Sequence, residues 1–156
     1  MAEIYSVSVD AIALAAATAK TVCQLATAST SRTLIKEWWV EFDGVTATAI
    51  PVKVEVGRFD IAVTTGTALT ASVEGRRDGA GPDPSSIVTH TTSTEGAGIP
   101  VHGTQAVEIH RVSPTSGIYV MYPDGREPIV PVSKFWRIRC TAAAIVNVTF
   151  GVAWAE

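Results

Sequence analysis

The sequence predicts an all-β protein, a single jelly-roll-like antiparallel β-sandwich spanning 1–156, and three observations predict it. The chain holds 20 Val, 12 Ile and 19 Thr against four Leu, and β-branched side chains are stiff at χ1 and favour pleated strands over helices. Short runs alternate apolar and polar residues with period two. Gly, Pro, Asp and Asn punctuate them at short intervals, which gives about nine strands joined by turns and implies a sandwich or jelly roll, with a closed barrel as the alternative.

In chain order, Tyr5, Val7 and Val9 alternate with Ser6 and Ser8, and residues 21–26 put Cys23 and Leu25 on one face. Residues 34–42 place Leu34, Trp38, Val40 and Phe42 together. Residues 52–56 set Val52, Val54 and Val56 against Lys53 and Glu55, as a half-solvated antiparallel strand should. Asp43-Gly44 and Pro51 mark the turn between these two runs, and Thr65-Gly66 is a hairpin turn between residues 58–64 and 69–73. Order returns over 106–112, 118–122, 134–141 and 145–154. The last run carries Val146, Val148, Phe150, Val152 and Trp154 on one face, opposite Asn147 and Thr149. Residues 75–103 are dense in Gly, Pro, Ser and Thr, and read as one long loop excursion. Loops of that length are usually functional or held by a partner.

Composition excludes several function classes. A net charge of −3 provides no counterion-releasing basic surface, so nucleic acid and anionic membranes are not expected partners. No basic residue precedes the Ala-rich stretch 11–19, and no run reaches the roughly 18 apolar residues of a membrane-spanning helix. Cys23 and Cys140 lie far apart on apolar runs without CxxC spacing, and are expected to be buried free thiols. His90, His102 and His110 lack a partner at metal-ligand spacing, and the serines lack a GxSxG elbow. A hydrolase built on His102 with Glu95 or Asp83 therefore has no motif behind it. The stretch Asp78–Asp83 (DGAGPD) lacks a calcium-loop ligand pattern and reads as a turn. No catalytic residue, cofactor or metal is expected.

What the pattern leaves over is apolar surface on the wrong faces. Ile35 and Trp39 alternate with the core run and point with Glu37 and Glu41. Tyr119 and Met121 oppose Ile118, Val120 and Tyr122, and Phe135 shares a face with Arg137 and Arg139. Exposed apolar patches rich in aromatics, Met and Arg mark interfaces. The expected oligomer or partner interface is therefore Tyr5, Ile35, Trp39, Tyr119, Met121 and Phe135. Ile87, Val88, Ile99 and Val101 join them as spaced apolar anchors of the long loop. Exposed aromatics would equally suit a glycan platform.

Three segments carry a family resemblance: the opening MAEIYSVSVDAIALAAATAKTVCQL, the run EWWVEFDGVTATAIPVKVEV, and RVSPTSGIYVMYPDGREPIVPVSKFWRIRCTAAAIVNVTFGVAWAE. Together they resemble small head-associated proteins of tailed bacteriophages over most of the chain outside 75–103. The specific parts are Tyr122-Pro123 through Glu127-Pro128, Pro131, and Asn147 to Glu156. The resemblance implies a capsid decoration, or cement, protein: β-rich, non-enzymatic, homotrimeric, bound to the major capsid protein on the outer virion surface after assembly in the host cytoplasm. The alternative is a glycan- or receptor-binding module of a phage head or tail fibre.

Overall fold

The computed structural model describes residues 3–46, 50–60, 67–68, 75–76, 82–90 and 107–156. Among them are twelve strands: β1 (Ile4–Leu14), β2 (Ala19–Ala26), β3 (Thr33–Phe42), β4 (Val52–Phe59), β5 (Thr67–Ala68), β6 (Gly75–Arg76), β7 (Ile87–His90), β8 (Val107–Val112), β9 (Gly117–Met121), β10 (Ile129–Val130), β11 (Phe135–Thr141) and β12 (Val146–Ala155). No helix among the described residues is long and apolar enough to cross a membrane.

The strands form two antiparallel sheets that do not close into a barrel. The first runs β10-β3-β12-β1-β6, with β9 also pairing β3, and the second runs β5-β7-β2-β11-β4-β8. Within them, β1-β12-β3-β9 lies in one sheet and β2-β11-β4-β8 in the other, so the chain alternates between sheets from β1 to β4 and again from β10 to β12. That is the interlocked Greek-key order of a jelly roll. The core between the sheets holds Trp38, Trp136, Trp154, Phe150, Leu14, Leu25, Ile35 and Ile138, all fully buried. Along β12 the inward face is Val146, Val148, Phe150, Val152 and Trp154, as the alternation requires.

Two irregularities move residues from where strict alternation puts them. In the β3–β12 ladder Ala153 faces Glu37 but Trp154 faces Ile35, so Lys36 is an extra residue on β3. A bulge of this kind reverses the facing of everything beyond it. Ile35, expected on the outer face, is therefore in the core, and Leu34, expected in the core, is half-buried. In β1 the register slips between Val9 and Ile12, with Ala11 at φ 55°. The Thr149 hydroxyl binds the slack there, accepting from the Ala11 amide and donating to Asp10. Ile12 and Leu14 thereby return to the core, so the first part of the Ala-rich stretch finishes a strand.

The excursion expected over 75–103 is not all loop. β7 pairs with β2, with Val88 opposite Leu25 and both fully buried. Ser86 just before it is buried and hydrogen-bonded to Thr33, at 2.9 Å between hydroxyls. Its amide also donates to the Glu156 carboxylate, which accepts the Trp154 indole N–H at 3.1 Å. The short β-branched run Ile87-Val88-Thr89 has found an unpaired strand edge, and that outweighs the Pro and Ser residues around it. The Thr65-Gly66 turn and residues 69–73 lie outside the described residues.

The outer face of the second sheet also departs from expectation. Glu55, Arg137 and Gln24 point away from the core yet are buried. Arg137 stacks its guanidinium over Phe59, 4.5 Å from the ring centroid, and donates Nε to Gln24 at 3.1 Å. Arg139 donates to Glu55 at 2.9 Å, and Lys53 pairs with the same carboxylate at 2.8 Å. The buried Glu55 charge is thus met by two cations instead of by water, as buried charge requires.

Candidate functional site

The outer face of the first sheet is built from strand register. Three rows cross the four strands β1, β12, β3 and β9. The first is Ser6, Ala153, Glu37 and Met121; the second is Ser8, Gly151, Trp39 and Tyr119; in the third, Asp10 is followed by Thr149, Glu41 and Gly117. On β12 and most of β1 the side chains are small, while β3 and β9 carry Glu37, Trp39, Glu41, Tyr119 and Met121, so the face is a low floor beside a raised strip.

Trp39 is positioned by the glycine opposite it. A Cβ on Gly151 would lie 2.3 Å from the indole nitrogen, so the ring lies across bare backbone. A Cβ on Gly117 would lie 2.5 Å from the Val40 carbonyl oxygen, which brings β9 tight against β3. The Tyr119 hydroxyl donates to the buried Glu37 carboxylate. Tyr119 is 54% exposed and Met121 64%. Trp39, Glu41, Gly117, Ile118 and Tyr119 line a shallow depression.

Of the expected interface residues, the structure brings together Trp39, Tyr119 and Met121. Tyr5 and Ile35 are buried within the chain, Tyr5 stacked on Trp154 with ring centroids 5.8 Å apart. Phe135 lies half-buried on the other sheet, opposite Ala26 and Phe59. Ile87 is exposed at the margin of the second sheet while its neighbour Val88 is buried. Ile99 and Val101 lie outside the described residues, as do His102 and Glu95.

Two features escaped the sequence. Described residues of the connections β1–β2, β3–β4 and β11–β12 gather at one end of the sandwich, where Val45, Ile50 and Ile145 are all well exposed beside Pro114, Ala143 and Ala144. A turn-by-turn reading treats each as a stray apolar loop residue; only the jelly-roll order makes them neighbours. At the open margin between β8 and β9, the Trp38 indole donates to the Tyr122 hydroxyl at 3.1 Å, which donates to Glu108 at 2.9 Å, and His110 lies 3.5 Å from the same carboxylate. Burial raises the Tyr122 pKa, so the phenol remains a neutral donor. The network satisfies a buried indole N–H, which needs a partner. Among the described residues no group of three or more His, Cys, Asp or Glu could hold a metal ion.

The segment after β9 is fixed by charge. Lys36, the bulge residue, binds Asp124 at 3.1 Å and makes a shorter contact with Glu127. The Lys36 hydrogen bond holds the Glu127 carboxyl below its usual range, and hydrogen bonds donated to Glu127 and Asp124 hold the Lys36 ammonium above its own. The Glu127 contribution is present above the unfolded carboxylate pKa of about 4.3 and lost as pH falls through the lower folded value. That of Lys36 is present below about 10.4 and lost as pH rises through the higher folded one. The stability difference between the wild type and Glu127→Gln, measured by urea unfolding, should be flat from about pH 5 to 10 and shrink on either side. A constant difference down to pH 2 would remove the ion pair from the account.

Cys23 and Cys140 are buried and free, on neighbouring strands β2 and β11. Burial, with the Glu55 carboxylate second, pushes the Cys140 thiol up, so it remains protonated at neutral pH. Alkylation should modify neither cysteine in the native protein and both after unfolding without reductant; a cystine peptide in the digest would contradict this.

Comparison of the chain with protein-family models, with curated proteins and with solved structures returned no match.

Proposed function

We propose that this is a non-enzymatic structural protein that associates with copies of itself, as a trimer, and coats the outer surface of a phage capsid, stabilising the shell as a decoration protein. The observation that carries the reading is the Trp39–Tyr119–Met121 strip, two of whose three side chains are more than half exposed on the outer face of the first sheet. An exposed aromatic and Met strip of this kind is what contact surfaces use. The separate apolar end at Val45, Ile50 and Ile145 gives a second surface, and a coat protein needs two, one for its neighbours and one for the shell. Weak single contacts suffice, because a trimer seated on several capsid subunits gains about 10²–10⁴ in avidity.

Light scattering of the purified protein should give a multiple of the 16.4 kDa chain mass, and undecorated shells mixed with it should sediment with it and resist heating better. A monomer that never binds shells would overturn the reading. The indole of Trp39 lying across Gly151, partly open to solvent beside the exposed Tyr119, also favours a second one, a glycan-binding module, since aromatic rings stack on sugar faces. Saturable binding on a glycan array, with no binding to shells, would select it.

A further inference from the structure

We infer that the depression at Trp39 and Tyr119 is a socket for an arginine or lysine side chain presented by a basic segment of a partner protein. The inference rests on the reading of this face as a protein-contact surface and names the chemistry of the contact.

Charge is the first argument. The three rows of the face carry Asp10, Glu37 and Glu41, and among its described residues no Lys or Arg. Asp10 and Glu41 are exposed and flank the Thr149 hydroxyl from the two sides. Glu41 also lines the depression together with Trp39 and Tyr119. An aromatic face attracts a cation through its quadrupole, Trp most strongly, and a carboxylate at its border adds a charge-assisted hydrogen bond. An arginine fits both, since its guanidinium stacks on a ring while its N–H groups reach an acid at the edge.

The second argument concerns where the cation comes from. Two copies of this face meeting across a two-fold axis would set acidic rows against acidic rows, so the face is not complementary to itself. Of the chain's own bases, Lys36, Lys53, Lys134 and Arg139 are in ion pairs and Arg137 is buried, while Arg32, Arg111 and Arg126 are exposed on other parts of the surface. The occupant we infer is a basic segment of a different protein, on the charge of the face; self-association that Glu41→Lys abolishes would overturn that and give the socket to a second copy's arginine. This leaves the uncharged apolar end for contacts between copies.

The indoles supply the readout. Of four tryptophans, Trp38, Trp136 and Trp154 are fully buried, so Trp39 is the one that solvent reaches. Titrating the full-length protein with tetra-arginine amide should change its emission saturably, and rising salt should weaken the effect. Tetraglutamate should do nothing. Glu41→Gln should weaken binding about 2- to 5-fold, the worth of an exposed ion pair, and Glu41→Lys more. Both are surface changes, so loss of fold does not confound them.

Equal responses to tetraglutamate and tetra-arginine would overturn the socket, as would a saturable response to a neutral oligosaccharide with none to tetra-arginine. Shells bound normally by Glu41→Lys and not released by tetra-arginine would remove the socket and leave decoration standing. Tetra-arginine bound at Trp39 by a protein that never binds shells would establish the socket and remove decoration.

Discussion

Val88→Asp is expected to destabilise the protein by about 3–5 kcal/mol, the cost of an uncompensated charge in a core, while Ile87→Asp one residue earlier should change stability by no more than about 0.5 kcal/mol. The contrast follows from β7. Val88 faces Leu25 in the core with no exposed surface, whereas Ile87 points outward and is 53% exposed. Urea unfolding of the two variants reads it directly. If residues 82–90 were a solvent-facing tip, both substitutions would be silent. Equal and small effects would therefore sink the assignment of β7 as part of the second sheet. The same pairing argues against removing the segment as a harmless loop. Its loss would strip Cys23–Ala26 of their partners on the β7 side and uncover Leu25.

How much of this was legible in the sequence depends on the length over which a pattern persists. β12 holds strict alternation for ten residues, and its five inward side chains can be named from the sequence. The face of β9 is equally readable, because Tyr119 and Met121 have no irregularity between them and the core residues they oppose. β3 was readable only as far as its bulge. From Glu37 to Phe42 the alternation holds, but Lys36 is drawn out of the ladder to reach Asp124 and Glu127, which lie about ninety residues further on. No local pattern carries that information, so Ile35 was placed on the wrong side. β7 failed for a related reason. Four residues are too few to show a period, and its stability comes from the open edge of β2. The buried outer face around Arg137 failed because alternation says which way a side chain points and not what lies there. Of the candidate site, Trp39, Tyr119 and Met121 came from alternation. The roles of Gly151 and Gly117 needed the register, since a glycine that makes room for an indole looks in sequence like any strand glycine.

The adjacent tryptophans of β3 give the sharpest separation of fold from function. Trp38→Ala should cost about 3–5 kcal/mol of stability, as deletion of a fully buried large aromatic does. Trp38 lies in the core opposite Val152 and Val120, and its indole donates to Tyr122, so the deletion leaves both a cavity and an unmet acceptor. Trp39→Ala should cost the fold only about 1 kcal/mol, because its ring rests on the outside of the sheet over Gly151. Its effect should fall on association instead. An aromatic anchor that is desolvated on binding is worth about 2 kcal/mol or more, so binding to undecorated shells should weaken about 30-fold. Gly151→Ala offers an independent route to the same end: its new Cβ would collide with the indole and lift it while Trp39 itself remains. Sedimentation with shells, run beside urea unfolding for each variant, separates the two effects. A Trp39→Ala protein that unfolds like wild type and binds shells like wild type would show that this face is not the contact surface, whatever its aromatic and acidic rows resemble.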